Sequence, residues 1–215
     1  SAEANAAIQK GWALEDAGLE LRQLREGAIE VRTTRVFLDP AVGAAARKAF
    51  PQGQEILTYL VNELRHGDRT TPYSMVTALS GGEPLPKDMK DDEIVISQWL
   101  ADDLAAATGD DVTLKYYVVG ASRKLEERSS SFKVRSIVPT GTGGQLLMPQ
   151  YPGMDTDNCR DWPDDTGIDT KRIRDKDEDY WDKYKGTPKA FVSLAAGQKI
   201  WNNRFGDLTA VRVSG

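Results

Sequence analysis

The stretch VISQWLADDLAAATGDDVTLKYYVVG, Val95 to Gly120, carries a strand signal, a helix signal, a turn and a second strand signal in immediate succession. Ser97 is placed to cap the helix with its hydroxyl. Leu100, Ala101, Leu104 and Ala105 share one helical face, and Asp102 and Asp103 fall on the face toward water. Gly109 suits the left-handed stop that ends such a helix, and Asp110 and Asp111 begin a turn. Val112, Leu114, Tyr116 and Val118 then recur at every second position, so they share one face of a strand. A helix this short, clamped between strands, restricts the chain to a mixed α/β (α+β) fold with a mixed sheet and short helices.

The flanking sequence reads the same way. Residues 1–18 predict an Ala-rich helix weakened by Gly11 and Gly18. Two strands follow around Gly27, with Ile29, Val31 and Thr33 alternating against Glu30 and Arg32. Asp39 and Pro40 are a cap and a first helical residue for a short helix ended by Pro51-Gln52-Gly53. Strands are expected over about 55–65 and 73–79, joined by a His66-Gly67-Asp68 turn. The polar run GASRKLEERSSS predicts an exposed hairpin tip, and the strand after it sets Phe132, Val134, Ser136 and Val138 on one face. Residues 140–170 are irregular, RDKDEDYWDKYKG is a helix stopped at Gly186, and a strand, a short helix and a last strand close the chain.

Bulk properties limit the partners. The chain has 215 residues and a net charge of −5, so clustered cations for nucleic-acid phosphates are not expected. No apolar run approaches the roughly 20 residues that span a bilayer, and the N-terminus lacks the pattern of a signal peptide. An excised extramembrane domain would read identically. One cysteine and one histidine leave no internal disulfide and none of the usual zinc sets.

Candidate chemistry is sparse. The GTGG run at 141–144 lacks the lysine and spacing of a phosphate loop. His66 sits in a turn, and no serine occupies a nucleophile elbow. Cys159 is surrounded by acids, which disfavour a thiolate. Asp155, Asp157, Asp161, Asp164, Asp165 and Asp169 crowd one loop and could offer oxygens to a hard cation, but not at EF-hand spacing, and a solvated acidic loop is the simpler reading. The acids of DKDED complement the dipole of the helix they open, as an alternative to a carboxylate pair for acid/base work. Tyr180, Trp181 and Tyr184 have the spacing of a packed helical face. Arg204 stands where it could cover an aromatic ring. No catalytic, cofactor-binding or metal-binding residue is therefore assigned.

The order of the motifs resembles the extracytoplasmic core domains of MacB/FtsX/LolC-type ABC-transporter permeases. The resemblance rests on Ile94-Val95-Ile96, Leu100-Ala101, Leu104, Gly109-Asp110, Val112, Leu114, Phe132, Val134, Ile137 and Val138, then on KAFVSLAAGQKIW and DLTAVRV. It covers about residues 55–215, with 140–185 as an irregular insertion. It implies a single extracytoplasmic domain over 1–215, with two subdomains, on the periplasmic side of the inner membrane. The implied partners are a cytoplasmic ATP-binding subunit or domain acting through transmembrane helices, and an extracytoplasmic protein or lipidic cargo. A homodimer of the full-length permease is a further implied assembly. In that reading Ser97, Leu100, Ala101, Leu104, Gly109, Asp110 and Val112 are scaffold, no cofactor is needed and the domain relays motion without catalysis. Two other readings stay open: a metal-dependent hydrolase using the 155–169 loop, and a carbohydrate- or peptide-binding module using the aromatics of 180–205.

Overall fold

The computed structural model describes residues 13–24, 27–120, 124–144, 147–163, 167–201 and 203–213. The alternating segments form β1 (Leu19–Gln23), β2 (Ile29–Thr33), β3 (Gln54–His66), β4 (Arg69–Leu79), β5 (Glu93–Ser97), β6 (Asp111–Val119), β7 (Leu125–Val138), β8 (Ala190–Ser193) and β9 (Ala210–Val213). The α-helices among the described residues are α1 (Pro40–Ala49), α2 (Gln98–Leu104), α3 (Asp175–Tyr184) and α4 (Leu194–Trp201). This is the mixed sheet with short helices that the alternation predicts.

The strands run β1-β2-β9-β3-β4-β8-β5-β7-β6, and β6 pairs back onto β3. Strands β3, β4, β8, β5, β7 and β6 therefore close a ring, through pairings that are short between β6 and β3 and between β5 and β7. Its largest apolar cluster draws on all six, including Val61, Val76, Val192, Ile96, Val134 and Leu114, and is joined by Leu100 and Leu104 of α2 and Trp201 of α4. β3 is the junction. One of its edges pairs with β4 along nearly its whole length, and the other pairs with β9 at Gln54–Ile56 and with β6 at Glu63–Arg65. The ribbon β9-β2-β1 extends from there.

Local signals hold where they are strongest. Asp39 accepts a hydrogen bond from the Ala41 amide, with Pro40 opening α1. The Ser97 hydroxyl accepts from the Leu100 amide at 3.3 Å, and Thr140 adds a second cap by accepting from Trp99 at 3.0 Å. The Asp110 carboxylate accepts from the Ala107 amide at 2.8 Å. Val112, Leu114, Tyr116 and Val118 are all buried.

Several expectations are corrected. α2 ends at Leu104, and the left-handed residue that stops it is Ala105, at φ 51° and ψ 42°, not Gly109. Ala105 accordingly leaves the apolar face and is exposed. Gly109 has φ +95° in the turn that follows. Asp103 does not face water: only 3% of its side chain is exposed, because the insertion covers it. In β2 the alternation is inverted at its start, with Ile29 exposed and Glu30 buried between Arg22 and Arg212. β7 begins at Leu125, so most of the expected hairpin tip is strand. The pairing of β5 with β7 skips Arg135, and this bulge puts Ile137 with the main core and sends Val138 to a different apolar cluster. Of the expected N-terminal helix, residues 1–12 lie outside the described residues, and Leu14–Ala17 form one 3-10 turn closed by left-handed Gly18.

Candidate functional site

The irregular region folds back on the ring. Met154, Cys159, Trp162, Ile168, Ile173 and Trp181 are buried against Met75, with Leu60 and Tyr73 beside them, on the outer face of β3 and β4. Ion pairs fix it there. Arg172 meets Glu63 at 2.8 Å, and Arg174 meets Asp103 and Asp177, each at 2.7 Å. Lys176 also pairs with Asp103, and the Thr71 hydroxyl donates to it at 2.5 Å. Burial works to raise the Asp103 pKa, but hydrogen bonds from Lys176, Thr71 and Arg174 outweigh it and hold the carboxyl below its ordinary value. Glu63 behaves alike: burial opposes ionisation, and Arg65 and Lys115 overcome it.

Between its pairings with β9 and β6, the edge of β3 is left without a strand over 57–62. Tyrosines occupy the split. The Tyr59 hydroxyl donates to the Tyr117 carbonyl of β6 at 2.6 Å, and Tyr151 packs beside Leu60. Burial, with Tyr116 adding, pushes the Tyr59 phenol up to about 12, so it serves as a donor and not as a base. Trp201 stacks on Tyr59, ring centroids 5.2 Å apart, and closes the split from the ring side. On the outer side a groove of about 600 Å³ opens between the ring and the insertion, walled by Phe37, Tyr59, Tyr117, Leu125, Tyr151 and Ile168. An apolar groove with a few placed polar groups is the usual form of a binding site.

The scaffold residues Ser97, Leu100, Ala101, Leu104, Gly109, Asp110 and Val112 lie in the β5–α2–β6 unit, and none of them lines this groove. The residues that do line it come from four distant parts of the chain. No local pattern marks them: the segment 151–168 has one Tyr, two Pro and two Gly and reads only as irregular.

The other candidates resolve separately. His66 meets the Asp111 carbonyl at the start of β6 through Nδ1 at 2.9 Å. Cys159 is buried, and burial with Glu178 nearby pushes its thiol up to about 11. Among the described residues no group of three or more His, Cys, Asp or Glu is arranged to hold a metal; Asp164 and Asp165 lie outside them. Asp169 caps a 3-10 turn through the Lys171 amide. Asp177 and Glu178 of the DKDED run are engaged by Arg174 and Arg160. Trp181 and Trp201 are buried, which removes them as an exposed platform for sugar or peptide. Arg204 covers the Phe205 ring at 4.8 Å.

No family model matches the chain, and a search of curated proteins also finds no match. Among solved structures, the periplasmic region of MacB from Actinobacillus actinomycetemcomitans is similar over 85% of this chain and 67% of that one. The TM-score is 0.44 and the identity 8%. A likeness at this level establishes neither family nor function. Among the described residues no helix is long and apolar enough to cross a membrane.

Proposed function

We propose that this chain is the extracytoplasmic domain of a MacB/FtsX/LolC-type ABC-transporter permease, with 140–185 as its insertion. In this reading it binds an extracytoplasmic protein or a lipidic cargo. Motion reaches it through transmembrane helices from a cytoplasmic ATP-binding subunit, and the domain itself catalyses nothing. It sits on the periplasmic side of the inner membrane as one domain with two subdomains.

The observation that carries this reading is the ordered run of motifs from Ile94 to Val138, which folds as one contiguous strand–helix–strand–strand packing unit. A unit whose chemistry is packing suits a body that transmits force. The apolar groove supports the binding role, since its walls match an apolar chain or side chains better than a charged metabolite.

The complete reading frame is the test. Apolar runs of about 20 residues should stand on both sides of this segment. A frame with neither overturns the proposal. A second check is displacement of a fluorescent long-chain acyl probe from the groove. Leu60→Trp should abolish probe binding if the cargo is lipidic, and a chain that never binds the probe turns the reading toward a protein partner. The metal-dependent hydrolase is the second reading, and calorimetric titration with calcium, magnesium or manganese decides it.

A further inference from the structure

Six strands of the nine-strand network close a ring through partial pairings, which leave stretches such as 125–132 of β7 and 69–75 of β4 paired on one side only, and β9 and β2 are paired on both sides. Strand β1 ends the strand order and is paired along its whole length on one side only. Among the described residues nothing pairs with its outer edge, and it carries neither proline nor bulge to blunt it. The direction of its backbone follows from its flanks. The Thr34 amide donates to the Gly18 carbonyl, and the Leu24 amide to the Ala28 carbonyl. The even-numbered residues therefore bond to β2, and the N–H and C=O groups of Leu19, Leu21 and Gln23 point outward.

The residues on this edge are self-complementary. Leu21 is 57% exposed and Ile29 45%, so the apolar face of the ribbon is incompletely covered at its outer end. Let a second copy meet β1 antiparallel, with Leu21 opposite Leu21 of the second copy. Leu19 then faces Gln23 of the second copy, and all the outward N–H and C=O groups of both strands find partners. On one face the row Val211–Val31–Leu21 continues into its own mirror in the other copy. On the other face Arg22 meets Glu20 of the second copy. The row Arg212–Glu30–Arg22 is thereby extended by Glu20 and Arg32 of the second copy, and the charges alternate without a break. Adjacent registers are penalised, because centring on position 20 opposes two glutamates and centring on position 22 opposes two arginines.

We infer that the occupant of this edge is a second copy of the same chain, joined by a two-fold β1–β1 pairing centred on Leu21. Charge complementarity and register select this partner over an unrelated strand. The interface is isologous, so it closes at a dimer and does not propagate.

The test is site-specific cross-linking of the full chain under mild oxidation. Opposed Leu21 positions would stand about 5.5 Å apart at Cα, inside the range a disulfide spans. Gln23 positions would be separated by four residues of strand, about 13 Å. Leu21→Cys should become a covalent dimer, and Gln23→Cys should stay monomeric; the native Cys159 is buried and gives a low background. In sedimentation equilibrium from micromolar to millimolar concentration, the unaltered chain should show a monomer–dimer equilibrium that Leu21→Lys shifts to monomer. Equal cross-linking at positions 21 and 23 overturns the register. An unaltered chain that stays monomeric throughout, as it would if another segment covered β1, overturns the pairing itself.

Discussion

The ammonium of Lys189 lies 4.0 Å from the ring centroid of Trp99, with the Tyr180 ring at 4.6 Å and the Asp177 carboxylate at 3.8 Å. Lys189 is 4% exposed, and two aromatic faces and one carboxylate replace its water. It joins β8, the helix α3 of the insertion and the helix α2 of the β5–β6 unit at one point.

That environment dictates a pH dependence. Burial lowers the Lys189 pKa from 10.5 to about 8, with Asp177 pulling the other way. Between those values the unfolded chain binds more protons at this site than the folded one, so stability rises with pH across the window. The rise should be on the order of 1–3 kcal/mol. The raised phenol pKa of Tyr59 and Tyr180 acts in the opposite direction and only at the alkaline end. Urea unfolding between pH about 8 and 10 should show the rise, and Lys189→Met should flatten it.

Asp103 holds the insertion. Asp103→Ala leaves Lys176 and Thr71 without this acceptor and Arg174 with Asp177 and the Thr70 carbonyl alone, and should cost about 1–3 kcal/mol. The loss belongs to pH values at which the carboxylate is ionised. Its pKa is depressed in the fold, so the contribution is present above the ordinary carboxylate range and fades as pH falls through the folded value. Hydrogen exchange should then accelerate over 147–188 more than over the ring, and uniform acceleration would contradict a pinning role.

The two left-handed residues of the α2–β6 turn, Ala105 and Gly109, should respond oppositely. Ala105 pays for a left-handed conformation that glycine adopts freely, so Ala105→Gly should stabilise by up to about 1 kcal/mol. Gly109→Val should destabilise by about 1–2 kcal/mol through the backbone alone, because a side chain there meets nothing within 4 Å. Thermal melts of both variants check the assignment of the helix stop.

Gly197 separates propensity from packing. It lies within α4, where helix propensity favours Gly→Ala by about 1 kcal/mol. A Cβ at this position would lie 2.3 Å from that of Ala78 on β4. Gly197→Ala should therefore destabilise, by about 1–3 kcal/mol, in a denaturation curve. Ala78→Gly in the same chain should recover part of the loss.

What the sequence determined by itself is what neighbouring residues settle among themselves. Caps at Asp39 and Ser97, the Asp110 turn, the His66-Gly67-Asp68 reversal and the burial of alternate residues from Val112 to Val118 depend on short-range hydrogen bonding and on a two-residue period. The fold class follows from those signals, and so does the inert character of Cys159. What only the tertiary structure decided depends on segments far apart in the chain. Asp103 reads as solvent-facing within α2 and becomes buried because Arg174, 71 residues later, arrives with its charge. Glu30 looks like the polar side of β2 and is enclosed because Arg22 and Arg212 flank it from the strands on either side. The Arg135 bulge, the pairing of β6 back onto β3 and the split that Tyr59 and Tyr151 occupy have no local signature. Strand pairing is set by which apolar faces meet after collapse, and the groove exists only once that pairing is made.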